Sequence, residues 1–315
     1  MYSLFVGFSV NPEIHVRYPG DSENTKISVP DAGWKIEAGG SALNIQVAAS
    51  RAGITSKLFA AIGTGGNDRA DFFREVMDGF LDNLDVYRLP VRKQDSSVGI
   101  IIQPSVGRRR ILSHKTPLVP EKVRENVPCL QAQLESCQPA FLVLTGLMPD
   151  ELELAQPFLN YQGGKIVLAP HVDLIQSGKL LKLLPRVNYL FLNGYECESI
   201  LGEKPTLDAL QRFSYKYGLD WISVTTATHG VKVATQDEQF ALPHLESSLP
   251  LVDTTGAGDA FLSGTIIALI KGKLAPRTAA LYGCCQARLA CSREGAANLP
   301  PWPEVEQMVT LSRTQ

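Results

Sequence analysis

Val252-Asp253-Thr254-Thr255-Gly256-Ala257-Gly258-Asp259-Ala260 is a glycine-rich turn set between two kinds of sequence. Before it runs the short extended segment Leu249-Pro250-Leu251-Val252; after it, Leu262, Ile266, Leu269 and Ile270 fall at helical spacing. The turn therefore opens a helix. The first amides of a helix lack internal partners and carry partial positive charge, so Gly256, Ala257 and Gly258 are placed to hold an anion. Asp259 falls in the first helical turn, beside whatever those amides hold. Amides that stabilise developing charge, next to a carboxylate that takes a proton from an attacking hydroxyl, suit phosphoryl transfer. The plainer alternative is that Asp253 or Thr255 only caps the helix.

The bulk composition leaves room for such a site and narrows the partners. At 315 residues the chain suits one large α/β unit, and 44% hydrophobic with 20% charged residues is ordinary for a globular protein. A net charge of -2 offers no general attraction for nucleic acid or an anionic membrane, so any anion site is local. The six cysteines show no C-x-x-C spacing and read as reduced thiols, which fits a cytoplasmic protein. Met1-Tyr2-Ser3-Leu4-Phe5-Val6-Gly7 lacks a basic n-region and reads as a strand, not a signal peptide, and no window has the length of a membrane span. The five histidines show no metal-ligand spacing.

Working outward, Leu4 to Gly7 reads as a buried strand, and Ile14 to Ile36 as exposed antiparallel strands turning at Pro19-Gly20 and Asp31-Ala32-Gly33. Gly39-Gly40-Ser41-Ala42-Leu43-Asn44 leads into a helix stopped at Gly53, and the bare backbone at Gly39 and Gly40, with the Asn44 amide, suits a small polyol. Ser56 to Ile62 reads as a strand and Arg69 to Phe80 as a helix. Val98 to Gln103, a turn at Pro104 to Gly107 and Arg108 to His114 form a hairpin whose arginines, Arg108 to Arg110, read as a solvated strand end or a phosphate clamp. After a helical stretch from Pro120 to Gln138, strands at 141–146, 165–170, 189–192 and 221–225 alternate with helices. This predicts a parallel sheet covered on both faces, with ligands at the strands' carboxyl ends. Asn193 and Glu196, directly after one such strand, also match a helix capping box.

The D-T-x-G-A-G-D run at 253–259, the G-G-x-x-x-N run at 39–44, Asn193 with Glu196, and Val224 to Gly230 together resemble the signatures of the ribokinase-like (PfkB-type) family of carbohydrate and nucleoside kinases. The resemblance implies a three-layer α/β fold with a mostly parallel central sheet, formed by 1–315 as a single domain, and a β-strand lid from about 12–38 and about 88–116. It implies an ATP-dependent kinase acting with Mg2+ on a sugar-type acceptor. Asp259 is then the general base, the amides of Gly256, Ala257 and Gly258 the anion hole, and Asn11, Gly39, Gly40 and Asn44 the acceptor site. Asn193, Glu196, Thr225, Ala227 and Gly230 fall to the nucleotide and its magnesium, with Ala227 standing where the family usually has glycine. Asp253, Thr255, Ala290, Arg293, Gly295 and Asn298 match a loop that holds a potassium-like ion in several relatives. Gly283 stands where relatives often place an asparagine facing the base. A nucleoside acceptor, or a non-catalytic sugar-binding regulator on the same fold, are the alternatives. The expected partners are a small molecule and a second copy of the chain joined through the lid.

Overall fold

The computed structural model describes residues 2–21, 33–66, 68–106 and 110–313. The chain begins with β1 (Leu4–Phe8), β2 (Asn11–Asp21) and β3 (Trp34–Gly39), then α1 (Ser41–Arg51), β4 (Ser56–Gly63), α2 (Asp68–Leu81) and β5 (Val86–Arg92). It continues through β6 (Val98–Val106), β7 (Arg110–His114), α3 (Pro120–Cys137), β8 (Phe141–Leu147), α4 (Leu152–Asn160), β9 (Lys165–Pro170), α5 (Val172–Gln176) and α6 (Leu180–Leu183). The remaining elements are β10 (Tyr189–Asn193), α7 (Gly194–Leu201), α8 (Leu207–Tyr217), β11 (Trp221–Thr225), β12 (Val231–Thr235), β13 (Gln239–Leu242), α9 (Ala257–Ile270), α10 (Pro276–Ala290) and α11 (Trp302–Ser312).

Nine strands form one sheet in the order β13-β12-β11-β10-β9-β8-β1-β4-β5. All neighbours are parallel except at the β11-β12-β13 edge, which is antiparallel. From β1 the chain winds first toward β5 and then, from β8, toward β11. The carboxyl ends of β1 and β8 therefore flank the switch in winding direction where such sheets bind ligands. Alternating side chains fill both faces. Phe5, Leu142 and Leu144 pack with Leu130, Leu134 and Phe158 of α3 and α4. Leu4, Val6 and Val143 pack with Leu43 and Ile45 of α1 and Leu262 and Ile266 of α9. The result is three layers, as an α/β sheet hydrophobic on both faces requires.

The second sheet is smaller, in the order β3-β2-β6-β7. Its outer pairs are antiparallel, but β2 pairs with β6 in parallel. Here the structure departs from the sequence reading in three places. Pro19-Gly20 makes no turn: β2 continues to Asp21 with a register shift after Tyr18. Pro104-Ser105-Val106 belongs to β6, while Gly107, Arg108 and Arg109 lie outside the described residues, as do Asp31 and Ala32. Residues 88–92, placed with the lid segment from the sequence, belong to β5 of the large sheet, whose outer-edge position tolerates Pro90.

Helix α9 is buried from Ala260 to Ala268, which explains why it is apolar on every side. It crosses α10 closely enough that a Cβ on Gly264 would lie 2.9 Å from the Gly283 Cα. Gly283 is therefore a packing residue, and its bareness follows from the helix crossing and not from a facing base.

Candidate active site

The turn before α9 leaves its helix end open. Gly256 is the N-cap with φ 74 and no side-chain cap, a conformation that favours glycine, and a Cβ there would meet Ala296 at 3.0 Å. Neither Asp253 nor Thr255 caps the helix. The amide of Ala257 makes a long bond to the Thr254 carbonyl, 3.3 Å, while among the described residues the amides of Gly256 and Gly258 show no backbone acceptor. A Cβ on Gly258 would meet nothing within 4 Å, so the space above that amide is open. Gly258 and Asp259, with Ser41, line a cavity of about 310 Å³ at the carboxyl ends of β8, β9, β10 and β11.

Asp259 lines that cavity with its carboxylate closely surrounded by protein. Burial pushes its pKa up to about 6 against the lowering effect of hydrogen bonds from Asn44 and Ser41, and the Glu13 charge adds to the rise. Asn44 donates from Nδ2 to Asp259 Oδ2 at 2.7 Å, and its own Oδ1 is buried with no partner among the described residues. Asn44 thus holds the carboxylate and retains an unused acceptor. The diglycine before it is required by close approach: a Cβ on Gly39 would collide with the Glu13 carboxylate, and one on Gly40, at φ 98, would lie 2.4 Å from the Ser9 carbonyl. The Gly40 amide donates to Glu13 Oε1 at 3.2 Å. Asn11 stands on the same face of β2 as Glu13, two residues on, and its Oδ1 is 3.0 Å from the position of a Gly40 Cβ. Glu13 is the residue that sequence reasoning missed on this side. The available signal was that i, i+2 spacing from Asn11.

On the other side Asn193, Glu196 and Thr225 line the cavity, whereas Ala227 and Gly230 are not among its lining residues. Asn193 Oδ1 accepts the Glu196 amide and Glu196 Oε2 accepts the Asn193 amide, both at 2.9 Å, which completes the capping box of α7. Burial raises the Glu196 pKa against the hydrogen bonds from Asn193, and Asp259 repels it further. Gly230, at φ 82, closes on the Leu242 carbonyl, where a Cβ would lie at 2.1 Å. Ala227 sits at φ 47, in the left-handed region, which accounts for the glycine expected there. His171 also lines the cavity, at the end of β9 where ligands of such sheets gather. Its Nδ1 accepts the Asp173 amide at 3.2 Å, leaving the proton on Nε2, and burial and the Lys115 charge lower its pKa.

Of the residues read as a cation loop, Thr255 and Gly295 meet Asp253 directly. Its Oδ1 accepts from the Thr255 amide and hydroxyl at 2.9 and 2.6 Å, and Oδ2 accepts from the Gly295 amide at 3.3 Å. The Ala290 carbonyl accepts the Arg293 amide and the Gly295 carbonyl accepts the Asn298 amide, at 3.0 and 3.1 Å. Arg293 itself turns away to pair with Glu304.

Among the described residues no three His, Cys, Asp or Glu side chains are grouped to hold a metal ion by themselves. Asp259 nevertheless adds to the rise in the Glu196 proton affinity, so positive charge brought with a phosphate would relieve that carboxylate. That donor set fits Mg2+, which keeps several waters and takes few protein carboxylates when it arrives with phosphate.

A mostly parallel three-layer sheet with an open helix N-terminus and a buried carboxylate at its switch point defines a phosphoryl-transfer scaffold. Residues 16–303 match the pfkB family carbohydrate kinase, and the chain belongs to that family. It is therefore a phosphotransferase acting on a hydroxyl group. It is 24% identical to the nucleoside kinase of Methanocaldococcus jannaschii over 295 residues, covering 92% of this chain and 90% of the relative. It is 26% identical to the ribokinase of Haemophilus influenzae over 280 residues, covering 85% of each. The fold superposes on the crystal structure of the M. jannaschii nucleoside kinase with a TM-score of 0.76 at 21% identity, covering 99% of both chains. It matches phosphofructokinase-2 from Escherichia coli in complex with potassium with a TM-score of 0.76 at 14% identity, covering 98% of both.

Proposed function

We propose that the chain transfers the γ-phosphoryl group of ATP to a hydroxyl of a small sugar-type acceptor, with Asp259 as general base. The observation that supports this best is the placement of the Asp259 carboxylate. It is recessed, held by Asn44 of α1, and set one residue from the open Gly258 amide at a helix N-terminus. The acceptor hydroxyl lies against Asn44 and Asp259, within reach of Glu13 and Asn11. Asp259 takes the proton as the hydroxyl oxygen attacks phosphorus, and the bond to the ADP oxygen breaks on the opposite side. The amides of Gly256 and Gly258 bind the charge that develops on the transferred group, with Ala257 joining by giving up its long bond to Thr254. Glu196 and Asn193 would hold Mg2+ arriving with the nucleotide, and its charge would offset that of the phosphates. Thr225 to Gly230 supports the nucleotide.

The small sheet covers the acceptor, and its outer strands β3 and β7 offer edges for a homodimer; Ile111 and Leu112 on β7 are both more than half exposed. Free thiols and an ATP requirement support a cytoplasmic protein. The test is ATP-dependent ADP release across ribose, other sugars, sugar phosphates and nucleosides, with Asp259→Asn as control. One acceptor that accelerates release in the wild type alone establishes the reading. A compound that raises the melting temperature while no acceptor accelerates release moves the assignment to a binding protein. A nucleoside acceptor is the second reading, favoured by the resemblance to the M. jannaschii enzyme.

A further inference from the structure

Asp253 ties the Gly256–Gly258 turn to the loop at 290–298, and three of the contacts on its carboxylate come from Thr255 and Gly295. The fourth comes from outside both segments. Arg17, on β2 of the small sheet, places Nη2 3.5 Å from Asp253 Oδ2 and Nη1 3.0 Å from Glu294 Oε1. Lys35, on the neighbouring β3, binds Glu294 Oε1 at 3.2 Å and Glu37 Oε1 at 2.9 Å. Hydrogen bonding from Lys35 outweighs burial and, with the charge of Arg17, holds the Glu294 carboxyl below its usual range. The loop is pressed against this pair of strands: a Cβ on Gly295 would meet Glu37 Oε2 at 3.4 Å and Lys35 Nζ at 3.9 Å.

A carboxylate has about four lone-pair positions. On Asp253, among the described contacts, two come from Thr255, one from Gly295 and one from the Arg17 guanidinium. The carbonyls of Ala290 and Gly295 already accept amides of their own loop, and the Cys291 carbonyl accepts two, from Val252 and Asp253. A monovalent ion at this loop would lie beside two side-chain cations and compete with the Arg17 guanidinium for Asp253 Oδ2. These residues do not fit a potassium site.

We propose that the Arg17 guanidinium serves as the built-in cation of this loop, so that the small sheet itself, and not a monovalent ion, sets the Gly256–Gly258 turn in order. This rests on the kinase reading for its effect on turnover, but not for its effect on cation binding. Seating of β2 and β3 then couples acceptor coverage to the readiness of the turn. The side chain of Arg17 is 35% exposed, so its pairing is partly screened and can be opened and remade as the sheet moves.

The test compares wild type with Arg17→Ala in potassium chloride and in tetramethylammonium chloride at equal ionic strength, read by melting temperature and by ADP release. Wild type is expected to respond to potassium in neither readout. Arg17→Ala is expected to turn over more slowly by about 5–150-fold, the usual range for coupling between linked sites. Free guanidinium ion at millimolar concentration, or potassium, restores part of it, and potassium raises the melting temperature of the variant by about 1–3 °C. A melting shift or activation of the wild type by potassium overturns the proposal, as does an Arg17→Ala protein that matches wild type in both salts. If neither protein phosphorylates any acceptor, the kinase reading fails, while the melting comparison still decides whether Arg17 has the place of an ion.

Discussion

Helices α7 and α9 both begin at the carboxyl edge of the large sheet, and both carry an acid in the first turn. In α7 the two ends of the cap satisfy each other: Asn193 accepts the Glu196 amide and Glu196 accepts the Asn193 amide. In α9 the N-cap is Gly256, no side chain closes the end, and Asp259 is held by Asn44 from a different element. An acid that caps its own helix gives one carboxylate oxygen to backbone, Oε2 in Glu196, and keeps the other. One that is steered away from the cap by a neighbour leaves the helix amides open to a ligand. The same local pattern, an acid in the first turn, thus gives a closed helix end in one case and an open one in the other.

The sharpest way to break this contrast is Asp259→Asn. Loss of a positioned general base is expected to lower kcat by about 10²–10⁴-fold, with nucleotide still raising the melting temperature. Full activity in this variant removes α9 from the chemistry. The pH profile probes the same group. With Asp259 raised to about 6, kcat/KM should fall about tenfold per pH unit below that value. The folded state holds this proton where an unfolded aspartate, near its usual value, has lost it. Between the two values stability therefore falls as pH rises. Asp259→Asn should then melt above wild type at pH 7, with the gap closing toward pH 4, and a gap that stays constant with pH contradicts the assignment.

Gly258→Ala sharpens the comparison further. Its Cβ meets nothing in the protein and a helical alanine is favoured by up to about 1 kcal/mol, so the fold should be unharmed or steadier while the methyl intrudes on the anion. A drop in turnover without a drop in melting temperature is the expected outcome. The smallest effect belongs to α7, where Asn193→Ala should cost about 1 kcal/mol of stability through the lost cap, a fall of about 2 °C. No fall in melting temperature would show that the capping box is not what holds that helix end.

The difference between these helix ends was half legible in the sequence. The glycine spacing of 256–258 and the Asn193–Glu196 pair are local signals, and each folds as its own residues dictate. What the sequence did not reveal depends on pairing between distant segments. Glu13 reaches Gly40 only because β2 lies against β3, and Arg17 reaches Asp253 only because the small sheet leans on the loop at 290–298. Strand β5 was obscured by Pro90, which its edge position tolerates. The parallel pairing of β2 with β6 was hidden for another reason: alternating residues announce a strand, but not the direction of the neighbour it meets.

Strand β1 lies near the middle of the large sheet, bonded on one side to β4 and on the other to β8. During synthesis it emerges well before β8, so one of its edges has no partner until the chain through Leu147 has been made. That row of unpaired N–H and C=O groups between apolar side chains is a site for wrong pairing throughout that interval, and such long-range closure slows folding. A nascent chain halted before β8 should therefore depend on chaperones far more than one released after it.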